Sequence, residues 1–305
     1  MIKGLRRSFG TPISRVSCMA LLLVWVAGSA HAIVRRHDVS DSKYVVRPQS
    51  VPGFVNFPSE AHGALINPRW VVTAAHVANP MRDHPKEWFV TISGRRRIVT
   101  RIVVYPDYDA STVEWKKLFK EMGTGDAAAW IKRYNAAMAG MHDIALLELK
   151  APVSDVKPVP YYTGSDEAGR VAELFSEGAT GNEITGAPDN SPHRGNLRRA
   201  ENRITRADGP WIRYVFDCDA SALPLEGVIA GGDSGGPVLI NVNGKLTLAG
   251  LAHGLDGSIK DVLATRAGTF KLGICGQTFA STRVSFFAHW IADTISSSSS
   301  DSRSH

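Results

Sequence analysis

Three short segments of the sequence carry side chains that together can perform nucleophilic catalysis. They are Thr73-Ala74-Ala75-His76, His142-Asp143-Ile144 and Gly232-Asp233-Ser234-Gly235-Gly236-Pro237. A serine hydroxyl becomes a strong nucleophile when a neutral imidazole removes its proton, and a buried carboxylate holds that imidazole in the required tautomer. The sequence therefore predicts a hydrolytic site with Ser234 as nucleophile, His76 as general base and Asp143 as orienting carboxylate.

The glycines around Ser234 predict a sharp turn with exposed backbone amides. Glycine tolerates the positive φ angles that such turns need. Amides aimed at one point can stabilise the negative oxygen that develops when a carbonyl is attacked. From the geometry of the motif, we expect the N–H groups of Gly232 and Ser234 to form this oxyanion hole.

The elements that position these residues are predicted to be mostly strands. From Val51 onward, short apolar runs alternate with glycine, proline, asparagine and aspartate, which is typical of an all-β barrel or sandwich. A proline-rich segment near Lys157 separates two series of such runs. We therefore expect one β domain over residues 33–157 and a second over 158–295, with a short helix at its end, followed by a disordered serine-rich tail at 296–305.

One segment breaks the strand pattern. Residues 111–138 contain strong helix formers with apolar residues at helical spacing, interrupted by Gly123 and Gly125, which predicts a helical hairpin. This insertion lengthens the interval from His76 to Asp143 to 67 positions. It either shapes the substrate cleft or faces solvent with no catalytic role.

The chain resembles the trypsin/chymotrypsin family of serine proteases over roughly residues 33–295. The resemblance is carried by the three segments above, by Trp70-Val71-Val72 and by Thr282-Arg283-Val284. It implies two antiparallel β-barrels with the site between them, and a serine endopeptidase that cleaves protein or peptide substrates through an acyl-enzyme intermediate without a cofactor or metal. The scarcity of cysteines is more similar to bacterial members of the family.

The first 32 residues are predicted to be a secretory signal peptide. A basic head precedes an apolar run at 19–27 and the cleavage motif Ala30-His31-Ala32. That run is shorter than the roughly 20 residues of a membrane anchor. We therefore expect a secreted or periplasmic protein that has no membrane segment in its mature form.

Cleavage after Ala32 would expose Ile33-Val34, which resembles the start of activated family members. The resemblance implies that the new amino group inserts and pairs with Asp233, which orders the oxyanion loop. The following Arg35-Arg36 replaces the glycines that are usual in the family. The alternative is a hydrophobic start without a role.

The resemblance also indicates the substrate pocket. Val228 lies six residues before Ser234, where an acidic residue would select Lys or Arg, and Phe279 falls where deep pockets have glycine. With Leu255 on the opposite wall, these residues predict cleavage after small or medium apolar residues such as Ala or Val. Glu226 is close enough that a shift in register would restore a basic preference. His253 lies near the family's supporting serine, where it either hydrogen-bonds Asp143 or is an ordinary loop histidine.

Charge and cysteine content limit the partners and covalent bonds. The formal charge is +6, but four basic residues and no acid lie in the first 32 positions, so the remainder carries 31 basic and 29 acidic residues. This balance gives no indication of nucleic-acid or membrane binding, and we expect a monomer. After export, Cys218 and Cys275 either form a disulfide, which we favour, or remain as free buried thiols.

Two other functions fit part of the sequence. The residues around Ser234 also match the Gly-x-Ser-x-Gly motif of α/β-hydrolase esterases, but that fold places its acid and histidine after the serine, where only 71 residues remain. A protease fold used only for binding is the second alternative, and the complete set of three catalytic residue types argues against it.

Overall fold

The computed structural model of the protein describes residues 33–121, 124–188 and 195–301. The expected signal peptide, residues 1–32, lies outside this part of the chain. The described residues begin with a short strand, β1 (Ile33–Arg35).

The first barrel closes in the order β2-β3-β4-β7-β6-β5. Its strands are β2 (Phe54–Asn56), β3 (His62–Asn67), β4 (Trp70–Thr73), β5 (Phe89–Ile92), β6 (Arg95–Val104) and β7 (Ala145–Leu149). All four residues of β4 are buried, because this strand of apolar and β-branched residues lies between β3 and β7 in the closed barrel. A short helix, α1 (Ala75–Ala78), follows β4 directly.

The second barrel closes in the order β10-β11-β15-β14-β13-β8. Its strands are β8 (Val171–Ser176), β10 (Arg198–Asp208), β11 (Trp211–Val215), β13 (Pro237–Val242), β14 (Lys245–Leu255) and β15 (Thr278–Arg283). Two further strands, β9 (Thr180–Asn182) and β12 (Gly227–Val228), form a separate three-stranded sheet with β1 between them. The two closed barrels confirm the predicted fold class and exclude the α/β-hydrolase alternative.

The boundary of the first domain differs from the expected one. β1 pairs with β9 and β12, which belong to the second half of the chain. Tyr44 also donates a hydrogen bond to the carbonyl of Glu226 at 2.9 Å. The backbone of residues 33–35 finds its hydrogen-bond partners in the separate sheet with β9 and β12, so the first barrel begins at β2.

The predicted helical hairpin is present as α2 (Tyr108–Glu121) and α3 (Ala127–Ala139), between β6 and β7. Asp126 caps α3 by accepting a hydrogen bond from the N–H of Ala129 at 2.6 Å. Although the hairpin is inserted into the first barrel, it packs on the second, because the indole N–H of Trp211 on β11 donates to the carbonyl of Met138 at 2.6 Å. A further helix, α4 (Ile259–Arg266), follows β14.

The last element among the described residues is a helix, α5 (Ala288–Asp301). It follows a 3₁₀ turn at Val284–Phe287, and its residue Ile291 is fully buried in the core between the barrels. The helix extends beyond the expected end at 295, into residues 296–301 of the predicted serine-rich tail. Ser296 and Ser297 satisfy their hydroxyls by donating to carbonyls one turn earlier. Residues 302–305 lie outside the described part.

The predicted disulfide between Cys218 and Cys275 is confirmed. The two Cα atoms are 5.7 Å apart, within the range that a disulfide requires. The bond joins the loop after β11 to the loop before β15. Among the described residues, no helix is both long and apolar enough to cross a bilayer.

Candidate active site

His76 and Asp143 meet because β4 and β7 are neighbours in the first barrel. Thr73 at the end of β4 lies opposite Ala145 at the start of β7, so the residues just beyond these strand ends share one edge of the barrel. The backbone N–H of His76 donates to Oδ1 of Asp143 at 2.8 Å, and Nδ1 of the imidazole lies 2.7 Å from Oδ2. The carboxylate therefore holds both the backbone and the ring of His76.

Asp143 is completely buried. Burial by itself would raise its pKa, but the charges and hydrogen bonds of His76 and His253 outweigh burial and hold the pKa far below its usual range. Burial likewise would lower the pKa of His76, whereas the negative charge of Asp143 and its hydrogen bond raise it, with a net increase. The pair is thus arranged as a carboxylate beside an imidazole of increased basicity.

His253, near the end of β14, reaches the same carboxylate oxygen. Its Nδ1 lies 2.7 Å from Oδ2 of Asp143, and its ring packs against Trp211. Of the two interpretations of His253, the structure supports the hydrogen bond to Asp143. Thr282 on β15 adds a further contact, since its hydroxyl donates to the backbone carbonyl of Asp143 at 2.8 Å.

The loop that carries Ser234 is fixed against the residues that precede His76. The backbone N–H of His62 donates to the carbonyl of Ser234 at 2.8 Å, and the hydroxyl of Thr73 donates to the carbonyl of His62 at 2.7 Å. Gly235 has a φ of 72°, and a Cβ at this position would collide with Thr73 and with the His62 carbonyl. Glycine is therefore required for Ser234 to lie against the first barrel.

The amides of this loop divide into two groups. Those of Asp233, Gly235 and Gly236 donate to backbone carbonyls at 2.8–3.2 Å. Those of Gly232 and Ser234 have no acceptor within the described part of the chain. These are the two N–H groups that the sequence predicts for the oxyanion hole. Gly232 has a φ of 84°, a conformation that favours glycine.

Asp233 and Ile33 are both completely buried. The Asp233 carboxylate accepts hydrogen bonds from the N–H of Gly178 at 2.8 Å, from the N–H of Ala230 at 2.7 Å and from the hydroxyl of Ser176. Ile33 lies in the neighbouring three-stranded sheet, opposite Thr180 on β9. Ile33, the first residue after the expected cleavage site, therefore lies beside the segment 176–180, in which Ser176 and Gly178 donate to Asp233.

The four residues expected to form the pocket fall into two pairs. His253 and Leu255 line a cavity beside His76. Val228 and Phe279 are almost completely buried in the core of the second barrel and are not among the described residues that line this cavity. Val228 pairs with Val34 on β1, and the Phe279 ring stacks on Tyr214.

Sequence reasoning did not identify most of the cavity wall. Its aromatic residues lie on the helical hairpin and after α4, and they are Tyr108, Trp115, Phe119, Trp130, Tyr134 and Phe270. The signal in the sequence was the aromatic residues at helical spacing in the insertion. What it could not show was which face of the hairpin meets the site.

Two groups of described residues have donor atoms close enough to hold a metal ion. One comprises His76, Asp143 and His253, whose ring nitrogens and carboxylate oxygen lie within 4.8 Å of one another, and the other comprises His37, Asp38 and Glu183. The donor atoms of the first group are already hydrogen-bonded to one another. The second group lies mostly at the surface, where the ring of His37 contacts the carboxylate of Glu183.

Comparison with known proteins gives a consistent result. The family described as Trypsin matches residues 42–262. The chain is similar to a snake venom serine protease, ussurin, from Gloydius ussuriensis, with 27% identity over 188 residues that cover 59% of this chain and 68% of that protein. It is also similar to a trypsin from Simulium vittatum, with 26% identity over 231 residues that cover 68% of this chain and 76% of that protein.

Proposed function

This chain belongs to the trypsin family and is a serine-type endopeptidase, and from that premise we propose that Ser234, His76 and Asp143 perform the catalysis. The observation that carries this proposal is the double contact of Asp143 with His76, through the backbone N–H at 2.8 Å and the ring Nδ1 at 2.7 Å. Because Nδ1 faces Asp143, Nε2 is the ring nitrogen of His76 that would take the serine proton. Protein or peptide chains are the substrates.

In the proposed reaction, the Ser234 hydroxyl transfers its proton to Nε2 of His76 as Oγ attacks the substrate carbonyl carbon. The carbonyl oxygen becomes an anion that accepts hydrogen bonds from the N–H groups of Gly232 and Ser234. The C–N bond then breaks, and His76 returns the proton to the leaving amine. Water repeats the sequence on the acyl-enzyme, which releases the acid and restores the serine.

We propose that signal-peptide cleavage itself produces the active enzyme. Ile33 has a φ of 70°, a strained conformation for a β-branched residue within a chain. A free amino group at Ile33 has no preceding peptide unit, so cleavage after Ala32 would remove this strain. The new ammonium would then lie close to the buried carboxylate of Asp233. Full activity of a mature chain with one extra residue before Ile33 would disprove this proposal.

We propose that cleavage follows small or medium apolar residues. Val228 supplies no negative charge, and the Phe279 ring occupies space in the core. Glu226 is buried. Its carboxylate accepts a hydrogen bond from the N–H of Leu223, and its backbone carbonyl accepts one from the hydroxyl of Tyr44. The Tyr44 contact comes from the N-terminal segment and the Leu223 contact is local, so neither favours the basic preference that a shifted register would give.

The test compares cleavage of a peptide library by the chain beginning at Ile33 and by its Ser234→Ala variant. We expect cleavage after Ala or Val that is lost in the variant. Cleavage after Lys or Arg would overturn the proposed preference, and no cleavage would overturn the proposed catalytic roles. We further propose that the mature enzyme is a secreted or periplasmic monomer, which N-terminal sequencing and light scattering of the exported protein would test.

A further inference from the structure

The imidazole of His62 has no part in the reaction described above, although it lies where the two barrels meet. His62 is the first residue of β3 and is 1% exposed. Its backbone N–H donates to the carbonyl of Ser234, so the ring is available for contacts of its own. Burying an imidazole costs free energy unless its nitrogens find hydrogen-bond partners. The partners of this ring therefore indicate its role.

The two ring nitrogens of His62 contact one residue of each barrel. Nδ1 lies 2.8 Å from Oδ1 of Asn56, the residue opposite His62 on β2. Nε2 accepts a hydrogen bond from the backbone N–H of Glu177 at 3.3 Å. Asn56 belongs to the first barrel, whereas Glu177 directly follows β8 of the second. The imidazole thus connects the two barrels.

These two partners select one tautomer of the ring. A backbone N–H can only donate, so the nitrogen that faces Glu177 must carry a lone pair and no hydrogen. The hydrogen of the neutral ring is then on Nδ1, where the side-chain oxygen of Asn56 accepts it. A carboxamide side chain also offers one N–H donor and one acceptor oxygen, whereas an alkyl side chain offers neither. Glutamine is therefore the closest functional replacement for this ring.

The segment that the ring contacts also holds the carboxylate of Asp233. Glu177 lies between Ser176, whose hydroxyl donates to Oδ1 of Asp233, and Gly178, whose N–H donates to the same oxygen at 2.8 Å. A Cβ at Gly178 would collide with this oxygen and with the backbone of the loop that carries Asp233. The segment 176–178 and the loop are thus closely packed, so a displacement of the segment also displaces Asp233.

His62 therefore holds the loop of the nucleophile from two sides. Its backbone N–H binds the carbonyl of Ser234, and its ring binds the segment 176–178, which carries two donors to Asp233. The amides of Gly232 and Ser234 flank Asp233 and are the proposed donors to the oxyanion. Their direction depends on how Asp233 is held, and a misplacement of about 1 Å can reduce turnover about 100-fold.

We propose that the imidazole of His62 is a positioning residue for the oxyanion hole, because it holds the segment 176–178 against Asp233. This inference rests on the proposed function. It gives the first barrel a part in forming the oxyanion hole, in addition to supplying His76 and Asp143.

The test compares His62→Leu with His62→Gln in the chain that begins at Ile33. We expect His62→Leu to lower kcat about 10-fold to 100-fold and to change KM less than about 3-fold, because the oxyanion hydrogen bonds form mainly in the transition state. His62→Gln should recover most of kcat, since its amide can donate to Asn56 and accept from Glu177. His84→Leu, at an exposed histidine between β4 and β5, should change neither constant.

A transition-state analogue separates positioning from simple stabilisation of the fold. A peptide boronic acid forms a tetrahedral adduct with Ser234 and places an oxygen in the oxyanion hole. Its affinity should fall in His62→Leu by about the same factor as kcat. A weaker second variant, Asn56→Ala, removes only the acceptor of Nδ1 and should lower kcat several-fold even if His62→Leu does not fold. Unchanged kcat in the folded variants, or a loss that His62→Gln does not recover, would overturn the proposal.

Two further measurements separate this proposal from the proposed function. Labelling of Ser234 by an organophosphate in the unmodified protein tests the nucleophile, and a labelled enzyme with unaffected His62 variants overturns only the positioning role. Hydrogen exchange of the Gly178 amide, followed by NMR, tests the contact with Asp233 without catalysis. Faster exchange in Asn56→Ala or His62→Leu, with recovery in His62→Gln, supports the proposal even if Ser234 is not labelled. Equal exchange rates in all variants would overturn it.

Discussion

Nδ1 of His253 lies 2.7 Å from Oδ2 of Asp143, the same carboxylate oxygen that His76 contacts at 2.7 Å. One buried carboxylate oxygen thus contacts two imidazoles, whose rings are perpendicular to each other. Each hydrogen bond to Asp143 reduces the negative charge that the other partner experiences. His253 is therefore a positioning residue that affects the basicity of His76 through Asp143.

Replacing His253 should change the pH profile of the enzyme as well as its rate. We expect His253→Leu to lower kcat about 10-fold to 100-fold, since a hydrogen bond to a charged group is worth about 1.5–3 kcal/mol. The acid limb of kcat/KM should move to higher pH, because Asp143 then interacts more strongly with His76. His253→Ser, which keeps a donor, should restore much of the rate. An unchanged acid limb in His253→Leu would contradict this role.

The charge of Asp143 should set the lower pH limit of activity. In its proposed role as general base, His76 must be neutral, and Asp143 raises its pKa, so activity should fall as the pH drops through a value above that of a free imidazole, about 6.5. Asp143→Asn should lower kcat about 10⁴-fold and move the acid limb to lower pH. Asp155→Asn, at a surface ion pair with Arg97, should change neither, and peptide hydrolysis between pH 5 and 9 would measure both effects.

The buried carboxyl of Glu226 should make stability depend on pH. Burial, and next the nearby charge of Asp217, raise its pKa to about 7, although the N–H of Leu223 opposes this. The folded protein therefore binds this proton more tightly than the unfolded chain, whose pKa is about 4.3. Below that pH the carboxyl is protonated in both states and does not lower the free energy of unfolding. As the pH rises towards 7, the free energy of unfolding falls by about 3 kcal/mol in total.

The substitution Glu226→Gln should remove this dependence, because a neutral amide can still accept from Leu223. Urea unfolding at pH 5 and pH 8 should show a smaller loss of free energy for the variant than for the unmodified protein. Glu60→Gln, at an exposed position, serves as the control. Equal losses in all three proteins would show that Glu226 is ionised without penalty.

The disulfide should contribute substantially to stability. Cys218 and Cys275 are 57 positions apart, and closing a loop of that length lowers the entropy of the unfolded chain by an amount worth about 4 kcal/mol. The double replacement of both cysteines by serine should lower the free energy of unfolding by about that much, as measured by urea unfolding. A reducing agent should destabilise the original protein and leave the double variant unaffected.

Much of the site could be predicted from the sequence because its residues lie in short, recognisable motifs. The apolar run before His76 and the one after Asp143 are adjacent strands, and their pairing brings the two residues together. The pocket was harder to predict. The positions of Val228 and Phe279 follow from neighbouring motifs, but the direction in which each side chain points depends on the packing of the barrel, and the structure places both side chains in the core.

The cavity wall could not be predicted because its contacts join distant parts of the chain. Tyr134 and Leu255 are 121 positions apart, and Arg266 reaches the hairpin loop across a similar interval. The helical pattern of the insertion predicted that α2 and α3 form. Which of their faces meets β14 depends on packing that no local pattern records.

The anchoring of the hairpin to Trp211 has a consequence for biosynthesis. The hairpin is synthesised before the second barrel. Its contacts with Trp211 on β11 and with Arg266 on α4 can form only after residues up to 266 have been made. Asp143 follows the hairpin directly and is held by Thr282, which emerges later still. During synthesis, therefore, the hairpin and Asp143 gain these contacts only after the corresponding residues of the second barrel have been made.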